Sequence, residues 1–168
     1  MWQAYLATSC DAERTSVSRY LERLASDSAW LIPVNVALLE TGRHYKICID
    51  LDGPLPNYQA GDSGLEVYVN GLVAQSLAVS QAASQRLSVT CADCTSSTWI
   101  FLTASHCGSS LLNVSLSGAA PELTLSVNAQ GLETGKSYGL CVDLGFGPGM
   151  AGQVYVTPRL AKTKAFEL

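Results

Sequence analysis

The 168 residues carry ten Lys and Arg against fourteen Asp and Glu, a net charge of −4, with 48% of the chain apolar and 14% charged. That composition belongs to a packed globular chain rather than a disordered one, and the scattered basic residues lack the clustered positive charge that nucleic-acid binding needs. No stretch approaches the ~18–20 consecutive apolar residues of a membrane-spanning helix, so neither nucleic acid nor a membrane span is expected.

Residues 2–10 (WQAYLATSC) open the chain and return at 99–107 as WIFLTASHC. The start has neither the basic residues nor the apolar run of a signal peptide, so the chain reads as a fragment of a longer protein with an added Met1. Residues 16–25 (SVSRYLERLA) set Val17, Tyr20, Leu21 and Leu24 at helical spacing, whereas their counterpart 112–117 (LNVSLS) alternates as a strand. The repeat favours a strand in both, with a helical turn left open in the first. Trp30, Ile32, Val34 and Val36 step by two, as do Leu123, Leu125 and Val127, which is the period of a half-buried strand.

Residues 39–51 (LETGRHYKICIDL) recur at 132–144 (LETGKSYGLCVDL) with eight identities in thirteen positions, and Val67-Tyr68-Val69 recurs as Val154-Tyr155-Val156. One structural unit is therefore used twice. The small polar residues 80–85 (SQAASQ) mark a boundary, giving modules at 1–82 and 83–168. The second module begins with a strand at 86–91 that the first lacks. Such an open edge is a template for another strand, either from a neighbouring copy or from residues such as 159–166.

The six cysteines follow the repeat, Cys10 matching Cys107 and Cys48 matching Cys141, so each module keeps one pair and Cys91 and Cys94 remain to link across a turn. Disulfides in an oxidising compartment are the reading adopted, with buried free thiols in the cytosol as its alternative. An extracellular or cell-surface location follows. In such a location Asn113-Val114-Ser115 is a glycosylation sequon.

The succession Leu39, Gly42, Tyr45, Ile47 and Ile49, repeated at Leu132, Gly135, Tyr138, Leu140 and Val142, resembles the L-x-P-G-x-x-Y-x-V-x-V pattern of fibronectin type III and related immunoglobulin-like domains. Thr41 and Thr134 stand where those domains often have Pro. The resemblance covers about 15 residues per module and implies an all-β fold of two tandem antiparallel β-sandwich modules. It also implies a tyrosine corner in each, Tyr45 and Tyr138 packing inward while their hydroxyls return to the turns at Gly42 and Gly135. The cysteine follows the tyrosine by three residues rather than two, so the antibody-type core disulfide does not carry over. Cys48 is then expected on the opposite face from Tyr45, unless a bulge shifts the register.

Several segments imitate catalytic or metal-binding motifs. STWIFLTASHC (97–107) and GDSG (61–64) look like the histidine and nucleophile segments of chymotrypsin-like proteases, but Ser63 precedes His106, the reverse of that family's order. Gly147-Pro148-Gly149-Met150-Ala151-Gly152 spells a dinucleotide fingerprint without a helix to follow it. Cys91, Cys94, His106 and Cys107 resemble a zinc set, and Asp50, Asp52 and Asp62 are weak calcium candidates. The repeat copies lacking the His and the Ser, a strand-to-strand loop, disulfide or free-thiol cysteines and a solvated loop are the respective structural readings, and no metal or cofactor is expected. The expected role is structural and adhesive, without enzymatic chemistry, its contacts lying in the loops 52–64 and 145–152 and its partners being other proteins or neighbouring copies. Trp2 and Trp99, as repeat equivalents, are expected to fill one core position twice; carbohydrate binding, with Trp2, Trp30 and Trp99 as a stacking platform, is the alternative, and a serine protease the distant one.

Overall fold

The computed structural model describes residues 3–10, 19–20, 22–23, 30–33, 35–51, 61–74 and 77–158. They form strands and turns with a single 3-10 turn at Val36–Leu38, and among the described residues there is no α-helix. No helix there is long and apolar enough to cross a membrane. The chain divides into two compact units, Met1–Val69 and Asn70–Leu168.

The first unit contains β1 (Gln3–Ala7), β2 (Arg19–Tyr20), β3 (Glu22–Arg23), β4 (Trp30–Leu31), β5 (His44–Asp50) and β6 (Gly61–Tyr68). Four of them make an antiparallel sheet in the order β2-β1-β5-β6, and β3 pairs separately with β4. Between the two readings of 16–25, residues 19–20 and 22–23 are extended and paired, so strand wins over helix there; the rest of that stretch lies outside the described residues. All five residues of β1 are buried. Leu6 packs with Leu39 and Tyr45 on one face, backed by Ile47, Val67 and Val69. Tyr5, Ala7 and Cys48 cluster on the other, with Cys10 against them. A strand covered on both faces reads as continuous apolar sequence rather than as alternation, which is the pattern of QAYLA.

The second unit holds β7 (Leu72–Ala74), β8 (Ala78–Ser80), β9 (Gln85–Cys91), β10 (Trp99–Thr103), β11 (Leu112–Ala119), β12 (Glu122–Val127), β13 (Ser137–Asp143) and β14 (Pro148–Thr157). They form one curled sheet in the order β7-β9-β12-β11-β10-β13-β14-β8. Strand β11 makes the bend: residues 112–114 pair with β10 and residues 115–119 with β12. At the far ends β7 runs antiparallel to β9, and after three residues β8 runs parallel to β14. Residues 72–74, 78–80 and 82, placed in the first module by the sequence boundary, thus hydrogen-bond within the second unit. The small polar run at 80–85 is the β8–β9 turn: Gln85 Oε1 accepts from Ser80 N and Oγ, and Gln81 Nε2 donates to Leu132 O at 2.8 Å.

The alternating residues of this sheet converge on one core. Val89 of β9, Leu125 of β12, Leu102 of β10, Leu140 of β13 and Val154 and Val156 of β14 are all buried. Each aliphatic side chain so buried contributes about 1.5–3 kcal/mol.

Candidate functional site

Turn and late strand are built identically in the two units. Tyr45 Oη accepts from Glu40 N at 2.9 Å, and Tyr138 Oη accepts from Glu133 N at 2.9 Å. Both rings are buried. Gly42 N donates to Val69 O and Val69 N to Arg43 O; Gly135 N donates to Val156 O and Val156 N to Lys136 O. Gly42 and Gly135 adopt positive φ, 87° and 79°, which an L side chain resists. Leu39 N closes on Val36 O as Leu132 N closes on Ala129 O. Asn35 and Asn128 each accept a backbone N–H two residues on, and Glu40–Arg43 and Glu133–Lys136 bridge the same turn. The Glu133 carboxylate holds the Lys136 ammonium above its ordinary pKa.

The cysteines pair as the repeat implies. Cys10 joins Cys48 and Cys107 joins Cys141, with Cα separations of 5.5 and 5.7 Å, while Cys91 joins Cys94. Tyr5 lies opposite Cys48, and Phe101 opposite Cys141, so each bridge sits on the face away from the tyrosine corner. That face is not open to solvent, since Cys48 and Cys141 are fully buried. Register corrects the sequence match of residues 2–10 with 99–107, which paired Trp2 with Trp99. Gln3 lies opposite Asp50, whereas Trp99 lies opposite Asp143, so Leu6 corresponds to Leu102 and Trp99 to Gln3 rather than to Trp2. The additional residue before Cys107 is taken up in the turn at 104–106. There Thr103 Oγ1 donates to His106 O, and Ser105 Oγ lies 3.1 Å from His106 Nδ1.

Bulges account for both glycine motifs. Pairing of β5 with β6 shifts between Lys46 and Cys48, opposite residues 62–66, and pairing of β13 with β14 shifts between Leu140 and Cys141, opposite Met150 and Gly152. GDSG (61–64) and its repeat counterpart GMAG (149–152) fall at these two shifts, and in the first Gly64 adopts a positive φ of 75°. Ser63 Oγ accepts from Leu65 N within the bulge. Ser63 and His106 belong to different units. After Gly152 the chain continues as strand to Thr157, so no helix N-terminus faces the glycine run.

The metal candidates are not gathered. All six cysteines are in disulfides, which removes the thiolates a zinc site needs. Asp62 accepts from Lys46 Nζ at 2.6 Å and from Gly64 N, and these bonds hold its carboxyl below the usual carboxylate range, the lysine contributing more. Asp50 is buried, and Asp52 lies outside the described residues. Among the described residues no group of three or more His, Cys, Asp or Glu converges on one point.

Of the two expected contact loops, 52–64 and 145–152, residues 61–64 and 148–152 are strand rather than loop, belonging to β6 and β14, and residues 52–60 lie outside the described residues. What remains of the second is a tight turn in which Asp143 Oδ1 accepts from Gly145 N and Gly147 N, with Phe146 exposed at its tip. Two shallow grooves of the second unit, of about 460 and 410 Å³, are lined by Ser, Thr, Leu, Asn and Gln among others, and none of their described lining residues is aromatic. Trp99 stands outside both, exposed rather than filling a core position. It stacks at a tilt on Phe101, ring centroids 4.6 Å apart, and donates from Nε1 to Asn113 Oδ1 at 3.3 Å. Trp2 and the side chain of Trp30 lie outside the described residues. Compared with known proteins, the chain matches no family model, no curated protein and no solved structure.

Proposed function

We propose that the chain is a non-enzymatic structural and adhesive segment of a larger extracellular, cell-surface or filament protein, built from two tandem immunoglobulin-like sandwich modules. The observation that carries this is the duplicated frame, in which each unit repeats the tyrosine-corner hydrogen bond and a disulfide from the turn after β1 or β10 to its late strand. Three disulfides suit an oxidising compartment. What repeats in the chain is scaffold, and the segments that imitate catalytic motifs are accounted for by turns and bulges. Contacts with protein partners or further copies fall to the loops at 52–60 and 144–147.

Pulling a single molecule from its two ends tests the mechanical reading. Two separate unfolding events are expected, and reduction of the disulfides should lengthen them by the 38 and 34 residues enclosed by the bridges. A chain that extends without resistance would sink the proposal. Replacing both loops with Gly-Ser segments tests adhesion, because assembly that survives the exchange removes those loops from the interface. Carbohydrate binding in trans is the second reading, favoured by the exposure of Trp99, which is 45%. Loss of glycan binding in Trp99→Ala would promote it over the first.

A further inference from the structure

Trp99 is the largest exposed aromatic side chain described in the second unit, and the hydrogen bond of its indole ties it to the only sequon in the sequence. Asn113 lies opposite Phe101 across β10 and β11, so it shares a face with Phe101 and with Trp99 two residues earlier on the same strand. Phe101 is 1% exposed, and Trp99 is the outer layer of the stack above it. Asn113 and Ser115 are both exposed. The indole bond engages the amide oxygen of Asn113 and leaves out the amide nitrogen, which is the atom that carries an N-linked sugar.

We propose that Asn113 carries an N-linked glycan and that Trp99 is the platform on which its first N-acetylglucosamine rests. The inference depends on the secretory location proposed above. There a lipid-diphosphate-linked oligosaccharide supplies the sugar. The bond from sugar C1 to the diphosphate oxygen breaks, a bond from C1 to Asn113 Nδ2 forms, the amide loses one proton, and the lipid diphosphate leaves. Transfer precedes folding, so the indole bond does not compete with it.

Two physical effects then act together. A pyranose ring presents apolar C–H groups on its face, and covering exposed indole with them removes apolar surface from water on both sides. Tethering at Asn113 makes the contact intramolecular, so a weak stacking interaction is populated by effective concentration alone. The same face carries the buried Cys107–Cys141 bridge, and the sugar would extend its cover outward from Phe101.

The test is to express the full chain behind a generic signal peptide in a eukaryotic host and to measure its mass before and after peptide-N-glycosidase. A mass loss is expected in the native sequence and in Trp99→Ala, and none in Asn113→Gln or Ser115→Ala. Removing the glycan should lower Tm by about 2–4 °C in the native sequence and leave Trp99→Ala and Trp99→Phe less affected. It should also change the indole emission that is missing from Trp99→Phe. Secreted chain with all three disulfides but no sugar overturns the inference and leaves the extracellular reading intact. Chain retained with reduced cysteines overturns the extracellular reading and this inference with it. An attached glycan whose removal alters neither Tm nor Trp99 emission overturns the platform.

Discussion

The two units share a frame and differ in almost everything attached to it. In both, a glycine at positive φ, a tyrosine hydroxyl returned to the turn, and a disulfide on the opposite face recur with the same partners. The β5–β6 connection spans residues 51–60, whereas residues 144–147 suffice between β13 and β14. The bulges differ too: β6 gains two residues over β5, and β14 gains one over β13. The lesson is that the corner hydrogen bond, which spans five residues, and the covalent bridge recur together with the backbone pair that ties each turn to Val69 or Val156. Bulges and connections, which answer to neighbouring strands, are free to diverge.

Removing the bridges from turn to late strand tests that equivalence hardest. By loop-closure entropy, bridges enclosing 38 and 34 residues each contribute about 4 kcal/mol, against about 1.5 kcal/mol for Cys91–Cys94. Paired Ala substitutions, read by chemical denaturation of each unit, should give near-equal losses for the first two. A loss confined to one unit would break the comparison. Next come Leu6→Ala and Leu102→Ala, which register makes equivalent and burial makes costly, at about 3 kcal/mol each. If the equivalence instead followed Trp2 and Trp99, Leu6 would match Thr103 and the two leucines would have no reason to agree.

Tyr45→Phe and Tyr138→Phe should each cost about 1–2 kcal/mol, since the hydroxyl is lost and the Glu40 or Glu133 amide is left without its acceptor. Amide exchange at those two residues should quicken in the variants and nowhere else to the same degree. Gly135→Ala should cost about 1–2 kcal/mol through the left-handed backbone alone, because a Cβ there meets no atom within 4 Å, and Gly42→Ala, likewise at positive φ but buried, should cost at least as much.

The smallest effect separates the units by charge. Asp62 has a lowered pKa in the folded chain, so its bond to Lys46 stabilises at neutral pH and the contribution disappears as acid protonates the carboxyl below the usual carboxylate range. The pair is exposed, and Lys46→Ala should leave the neutral melting temperature almost unchanged. Melts followed into strong acid should show the native and variant chains converging. The counterpart of Lys46 is Gly139, so the second unit has no such pair to lose.

Much of this was legible in order of locality. The tyrosine corner joins residues five apart, and the alternation of Tyr45, Ile47 and Ile49 against Cys48 places that cysteine on the far face by the two-residue period of a strand. The cysteine pairs followed because one sequence repeat has to satisfy one set of bonds twice. Less was legible for the surface. Nothing in the spelling of Trp99 and Asn113 shows that they touch, since their contact depends on the antiparallel register of β10 with β11.

By itself, then, the amino-acid sequence determined the duplication, the strand period, the turn chemistry and the cysteine partners, all of which are covalent or span a few residues. Tertiary structure alone decided that Leu6 matches Leu102, that residues 72–74 and 78–80 belong with the second sheet, that GDSG and GMAG fall at bulges, and that the disulfide face is buried. Each of those depends on which distant strand lies alongside and with what offset. A period of two leaves that offset open until the partners meet.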